Sequence, residues 1–388
     1  MYFACICIAD CYFYVADTNY TWEKLLLVRI ALLTPHLTTA DAISNDICGM
    51  YEVLKTRGHE VRLFAHVSTP NGIEVLPAKQ VEGFLKSADD LLIYHHSMGW
   101  DFGLTILNDL KCLTAVKYHN ITPARFFAGI SSDYEHACRV GRQQIKDIAQ
   151  ADCDIYLADS EYNLWELLLE GVEKSKGFVV PPFHHVDRLK TLPPDNEVLD
   201  AYIGDKVKIL MVGRVAPNKG HTTLLDAFAI YRRQYDSKAL LLIVGKEPEH
   251  LESYSNSLRQ MVARLNLDDA VVFTGVVSDE QLKAYYLVAD IFMMASEHEG
   301  FCVPLVEAMA MKVPIIACAS SAIPGTVGKA GLVWKERDPY LLAESINFLA
   351  RDESTCAALG LMGWRRYERL FSNERIEAEL FNALNHLI

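Results

Sequence analysis

The 388-residue chain is 51% hydrophobic and 22% charged, too long for one ordinary core and suited to two domains of roughly 150–200 residues. That composition excludes an intrinsically disordered chain, and no uninterrupted apolar run reaches the ~20 residues that a membrane-spanning helix needs. The net charge of −13 argues against a broad nucleic-acid surface. Residues 1–199 carry 17 Lys+Arg against 26 Asp+Glu and the remainder 20 against 24, so neither half is a basic membrane-docking domain, although a small basic patch stays open.

Residues 1–27 are aromatic and Cys-rich and precede what reads as a natural first strand. They are read as an extension outside the fold, with an extra edge strand as the alternative. Cys5, Cys7 and Cys11 form the only cluster among ten cysteines. No second Cys or His pair follows at ligand spacing, so a zinc site is not expected. Most of the ten cysteines lie in apolar runs, as buried free thiols do, and the simplest compartment is a reducing cytoplasm. The first residues lack the basic stretch of a secretory signal.

From residue 28 onward, short apolar, β-branched runs alternate with helical patterns, which predicts parallel α/β architecture. The first series is 28–33, 60–65, 91–95, 113–119, 154–158 and 177–181. The second is 207–213, 239–244, 270–274, 290–294, 313–318 and 331–334. Most are continuously apolar, as strands covered on both faces are. The segment 184–205, with Leu192-Pro193-Pro194-Asp195-Asn196, is the best linker candidate. The expected division is 28–190, a linker at 191–205, 206–370, and a last helix at 371–388 that crosses back to the first domain. Ligands in such sheets sit beyond the carboxyl ends of the strands, which places the site in a cleft between the halves.

Two loops carry the chemistry. Val212-Gly213-Arg214-Val215-Ala216-Pro217-Asn218-Lys219-Gly220 joins a strand to a helix, placing a forked donor and a point charge beside a helix N-terminus. That combination suits a diphosphate; a solvated basic loop is the bland alternative. Glu299-Gly300-Phe301-Cys302-Val303-Pro304-Leu305-Val306-Glu307-Ala308-Met309 follows the strand at 290–294. Pro304 fits the first turn of a helix, where its missing N–H costs nothing, and the free amides around it could bind an anion or hydroxyls. Neither a Walker loop nor G-x-G-x-x-G occurs, which disfavours a P-loop NTPase or a standard NAD enzyme.

In the order Gly213-Arg214, Lys219-Gly220, Phe273-x-Gly275, Glu299-Gly300-Phe301 and Glu307-Ala308-Met309-Ala310, the chain resembles the GT-B retaining glycosyltransferases of family 4. The resemblance is strong from 207 to 349 and extends in layout across the first half. It implies two Rossmann-like parallel-sheet domains facing across a cleft, and a nucleotide-sugar donor that is a substrate, with no cofactor and no metal. Arg214 and Lys219 match the phosphate-binding pair, Glu307 the ribose-binding carboxylate, and Glu299 the carboxylate beside the transferred sugar. The amides from Gly300 through Phe301, Cys302 and Val303 match those that contact sugar or phosphate. Gly213, with residues 245–247, Val276 and Val277, matches the surroundings of the nucleotide. His119, in Tyr118-His119-Asn120-Ile121-Thr122-Pro123, matches a histidine near sugar and acceptor; His95 and His96 are weaker candidates.

Three departures stand out. Thr34-Pro35-His36-Leu37-Thr38-Thr39-Ala40-Asp41 replaces the frequent Gly-Gly loop, leaving Asp41–Ile43 as a possible helix start. Cys302 replaces a frequent Gly, and Pro324-Gly325 lacks the Glu often found after that Pro. Asp152-Cys153-Asp154 spells the D-x-D of the other large glycosyltransferase fold, but its position directly before an apolar run reads as a strand-entry turn. The resemblance implies a retaining, metal-independent hexosyltransferase of polysaccharide biosynthesis. It is expected in the cytoplasm, with at most peripheral membrane contact. The expected donor is UDP-glucose first, and the expected acceptor a saccharide or lipid-linked saccharide. A GDP-mannose-dependent transferase, a nucleotide-sugar epimerase and a non-catalytic nucleotide-sugar-binding protein are the alternatives.

Overall fold

The computed structural model describes residues 28–38, 41–69 and 72–387. The expectations for residues 1–27, with Cys5, Cys7 and Cys11, lie outside the described residues. Seven strands, β1 (Arg29–Leu37), β2 (Glu60–Ser68), β3 (Val75–Pro77), β4 (Leu91–His96), β5 (Leu113–Tyr118), β6 (Ile155–Ala158) and β7 (Gly177–Val179), form one parallel sheet in the order β3-β2-β1-β4-β5-β6-β7. Six more, β8 (Lys208–Val212), β9 (Leu240–Val244), β10 (Val271–Gly275), β11 (Ile291–Met294), β12 (Ile315–Cys318) and β13 (Gly331–Trp334), form a second parallel sheet ordered β10-β9-β8-β11-β12-β13. The fold is therefore α/β with two Rossmann-like domains.

The central strands are buried throughout: β4 and β8 have no exposed residue, which is what helices on both faces require of an apolar run. Each of the twelve apolar runs maps onto one strand. The short edge strand β3 was not expected, because three partly exposed residues carry no pattern. In both sheets the strand order reverses beside the first strand of the series, and loops leaving the carboxyl ends there line a crevice.

The 184–205 stretch is not an extended linker. It contains helices Val186–Thr191 and Asn196–Tyr202, whose Val186, Leu189 and Val198 are buried in the second domain's core. Pro193-Pro194 only separates the two, and the Asp195 side chain caps the second by accepting from the Val198 amide at 2.9 Å. Helix Glu353–Leu370 packs on the second domain through Tyr367. The chain then crosses: His184 Nε2 meets the Phe371 carbonyl at 2.7 Å, and Asn373 Nδ2 donates to the His184 carbonyl at 2.8 Å. Helix Asn373–Leu384 buries Ile376, Leu380, Phe381 and Leu384 among β1 and β4 side chains of the first domain. At roughly 1.5–3 kcal/mol for each large side chain, that docking contributes on the order of 6–12 kcal/mol and fixes the helix there.

Candidate active site

The loop after β8 starts the site. Gly220 ends its tight turn at φ 70°, and a Cβ there would lie 2.0 Å from the Ala295 carbonyl oxygen, so only glycine lets this loop press against the one after β11. Lys219, just before it, reaches the other loop's carboxylate: its Nζ donates to Glu299 Oε1 at 2.7 Å and Oε2 at 2.9 Å. Glu299 is buried and also accepts from Ser296 Oγ at 2.7 Å. Ser321 Oγ clamps its backbone, accepting from the Glu299 amide and donating to its carbonyl, each at 2.7 Å. Arg214 is exposed at the start of the same loop and donates to Tyr134 Oη of the first domain at 3.2 Å. Tyr134, Asp41 and Glu299 raise its pKa, outweighing the partial loss of water that the facing first domain imposes on the guanidinium.

Cys302 adopts a left-handed conformation (φ 76°, ψ 72°) at the N-terminus of helix Val303–Ala310, one that glycine takes without strain. Four residues along that helix, Tyr286 Oη donates to Glu307 Oε2 at 2.7 Å. Burial pushes the Glu307 carboxyl up to about 7, against the pull of that hydrogen bond. Val276 lies exposed at the end of β10, beyond Gly275, and Phe301 is buried edge-on against Phe371. Beside the Glu299 loop a cavity of about 550 Å³ opens between the domains, lined by Ser160, Tyr162, Phe301, Ser321, Arg366 and Phe371 among others.

On the first-domain side His119 follows β5, but its side chain is only 1% exposed and turns away from the open cleft. Its Nδ1 lies 3.1 Å from Asp159 Oδ2 and its Nε2 2.9 Å from His95 Nδ1. His96 is turned elsewhere, toward the Tyr94 hydroxyl and the Gly141 carbonyl. Asp46, His95 and His119 bring three ligand atoms within 4.8 Å of one another. The Lys117 ammonium, 2.8 Å from Asp159 Oδ1 and 3.8 Å from Asp46 Oδ2, already supplies the compensating cation, so the donor set does not fit a resident metal. Asp152-Cys153-Asp154 lies at the opposite end of the sheet, where Asp154 Oδ2 accepts from the Thr114 amide at 2.8 Å and fixes the entry to β6.

The two domains touch across the cleft. His298 Nε2 donates to Asn120 Oδ1 at 2.6 Å, because the Asn120 amide nitrogen is already spent on Asn163 at 3.0 Å and Glu166 at 2.7 Å. Burial, with Arg142, Arg125 and Lys219 nearby, lowers His298 to about 4 and keeps it neutral. Ser160 Oγ donates to the Gly300 carbonyl at 2.7 Å, and a Cβ on Gly300 would meet the His119 carbonyl oxygen and Asn120 Cβ at 2.8 Å. The second domain thus gathers Arg214, Lys219, Glu299, the 300–303 loop and Glu307 on one face, whereas His119 stands behind the wall they close against. Sequence reasoning missed Tyr134, Ser160, Tyr286 and His298. The setting of His298 between Glu297 and Glu299 was the one available signal.

Residues 201–363 match the family model described as "Glycosyl transferases group 1". Among curated proteins, the chain is similar to the GDP-mannose-dependent alpha-(1-6)-phosphatidylinositol monomannoside mannosyltransferase of Mycobacterium tuberculosis, 32% identical over 47% of this chain and 49% of that protein. It is also similar to the mannosylfructose-phosphate synthase of Agrobacterium fabrum, 30% identical over 45% of this chain and 40% of that protein. The matched stretches thus span about half the length of the curated relatives. Among solved structures, a sucrose-phosphate synthase from Thermosynechococcus elongatus superposes with a TM-score of 0.74 at 21% identity, covering 93% of this chain and 99% of that one. The chain therefore has the GT-B glycosyltransferase fold, and its second domain matches the glycosyl transferases of group 1.

Proposed function

We propose that the chain is a retaining hexosyltransferase that moves a sugar from a nucleotide diphosphate to a hydroxyl of a saccharide or lipid-linked saccharide, without a metal. The observation that carries this reading is the Lys219 ammonium held on both oxygens of Glu299, with Arg214 on the same loop and the start of a helix alongside. In the reaction the bond from the anomeric carbon to the diphosphate breaks and one to the acceptor oxygen forms on the same face. A diphosphate oxygen takes the acceptor's proton. Negative charge growing on the leaving group needs fixed positive partners, which Arg214, Lys219 and the amides after Glu299 provide. Glu299, already engaged by Lys219 and Ser296, orients the lysine and the sugar rather than attacking. Glu307 keeps Oε1 for the ribose hydroxyls while Tyr286 occupies Oε2. His119 is a positioning residue in this closed arrangement. The cavity beside Phe301 has the size of a small-molecule site and is our choice for the acceptor.

The donor has two candidates. UDP-glucose is the expectation from family habit, whereas the relatives named for GDP-mannose dependence and for mannosylfructose-phosphate synthesis favour mannose, so GDP-mannose is the second reading. The test is incubation with GDP-mannose, UDP-glucose, UDP-galactose and UDP-N-acetylglucosamine, with EDTA and with magnesium, followed by NMR and mass spectrometry. Release of one nucleotide, insensitive to EDTA and reduced on the order of 10²–10³-fold in Arg214→Ala, is the expected result. Unaltered turnover in that variant defeats the assignment. A changed sugar still attached to its nucleotide identifies an epimerase, and tight donor binding without turnover across an acceptor panel identifies a binding protein.

A further inference from the structure

We propose that the second domain docks on an anionic phospholipid surface through the outer side of helix Glu353–Leu370. Along that helix Ala358, Met362, Arg365 and Arg369 follow one another at spacings of four, three and four, and all are exposed. Leu361 adds a second exposed apolar side chain; it and Met362 are 39% and 41% exposed. Lys329 and Arg366 join Met362, Arg365 and Arg369 around a hollow of about 390 Å³. Among the described residues none of these four cations pairs with a carboxylate. Glu368, the one acid within this stretch of helix, turns to Lys190 at 2.9 Å. Arg366 Nε and Nη2 donate to the Thr326 and Gly325 carbonyls at 2.8 and 2.6 Å, which holds its guanidinium at the hollow's edge. Lys312 flanks the group, its ammonium 5.3 Å from the Trp364 ring centroid.

In a chain of net charge −13, four cations without a carboxylate partner on one face call for an anionic partner. The two exposed apolar side chains beside them decide which. Phosphate headgroups satisfy the cations while Leu361 and Met362 enter the boundary with the acyl chains, a combination that a dissolved phosphate does not use. Arg366 also lines the interdomain cavity, so docking here turns that cavity's mouth toward the lipid. The inference does not depend on the donor or on catalysis.

The test is co-sedimentation of the full chain with vesicles of phosphatidylcholine alone or mixed with phosphatidylglycerol, at low and high salt. Binding only to the mixed vesicles, weakened by salt, is expected. Each surface cation contributes about fivefold, so Arg365→Gln with Arg369→Gln lowers affinity about 30-fold. Leu361→Gln with Met362→Gln weakens binding at unchanged charge. Lys79→Gln with Lys111→Gln, the same charge change at exposed positions of the first domain, leaves it intact. Absence of binding to mixed vesicles, equal loss in the Lys79/Lys111 variant, or competition by inorganic phosphate that abolishes vesicle binding at matched ionic strength each overturns the proposal.

Discussion

Lowering the pH through 7 should weaken donor binding through one group, Glu307. Burial pushes its carboxyl up to about 7, and the single hydrogen bond from Tyr286, at 2.7 Å, pulls the other way without restoring the ordinary value. One pH unit below that value, about one molecule in eleven carries the carboxylate. A donor whose ribose hydroxyls both give hydrogen bonds to Glu307 selects the ionised form. The KM for the donor therefore rises about tenfold between pH 8 and pH 6, while kcat at saturating donor stays level. Glu307→Gln still accepts from Tyr286 but carries no charge. Its KM is raised about tenfold at pH 8, because hydrogen bonds to a neutral group contribute roughly 1–1.5 kcal/mol less, and is flat across the range. The sign reverses for stability. A carboxyl raised above its unfolded value loses its contribution as pH rises through about 7, so Glu307→Gln melts higher than the parent protein above that pH and the advantage shrinks toward pH 4.5. Initial rates against donor concentration, with thermal melts over the same buffers, provide both readouts. A donor KM that is level from pH 8 to 6, or that changes equally in the variant, would refute the placement of the ribose on Glu307.

Three further outcomes follow from the site's packing. Lys219→Ala strands the buried Glu299 carboxylate and should destabilise the fold by about 3 kcal/mol in urea titrations, with part recovered when Glu299→Gln is added; strict additivity of the two would contradict the pairing. Cys302→Gly should be about 1 kcal/mol more stable than Cys302→Ala, since both lose the thiol and only alanine keeps the left-handed strain; equal melting temperatures would place the strain elsewhere. Gly300→Ala puts a methyl group 2.8 Å from the His119 carbonyl oxygen and should hold the cleft open, raising the radius of gyration in solution scattering and reducing turnover on the order of 10²-fold without lowering the melting temperature. Full turnover in that variant would show that this closure is not needed.

Much of the architecture was legible because both sheets are covered on two faces, which writes each central strand as an apolar run. The edge strand β3, short and half-exposed, leaves no such mark. The proline pair at 193–194 looked like a linker because prolines break helices; what it hid was Val186, Leu189 and Val198 at spacings that bury them on the second domain. Arg214, Lys219 and Glu299 could be singled out because two strand-to-helix loops carry charge beside helix starts, and the structure brings Lys219 onto Glu299. The replacement of glycine by Cys302 was visible, but its left-handed backbone was not, since φ is a property of the packed loop. His119 shows the limit most clearly. Its place at the end of β5 was right to expect, yet the direction of its ring depends on Asp159 and His95, which are remote in sequence.

That direction follows from a buried ionic group around Lys117. Lys117 is fully buried, and taking an ammonium out of water costs several kcal/mol unless partners surround it. Asp159, Asp46 and the Val180 carbonyl are those partners. Burial pushes both carboxyls upward; at Asp159 the nearness of Lys117 and His119 outweighs it and keeps the group ionised, whereas Asp46, farther from the ammonium, remains raised. Burial, with His119 and Lys117 close by, drives His95 well below the ordinary histidine value, so it stays neutral. The ionised Asp159 accepts the His119 Nδ1 proton and leaves Nε2 to meet His95 when the ring is neutral. Asp46, on helix Ala42–Thr56, also accepts from the Phe183 amide at 2.8 Å. Lys117 ties β5, the loop after β6, the segment after β7 and the first helix into a single wall, and His119 joins β4 to it through His95. An apolar core could join the same elements, but it would not fix the ring of His119 or the carbonyl that Gly300 meets. The desolvation cost of Lys117 is offset by Asp159, Asp46 and the Val180 carbonyl, and the wall they hold together carries the His119 carbonyl that faces Gly300 of the second domain.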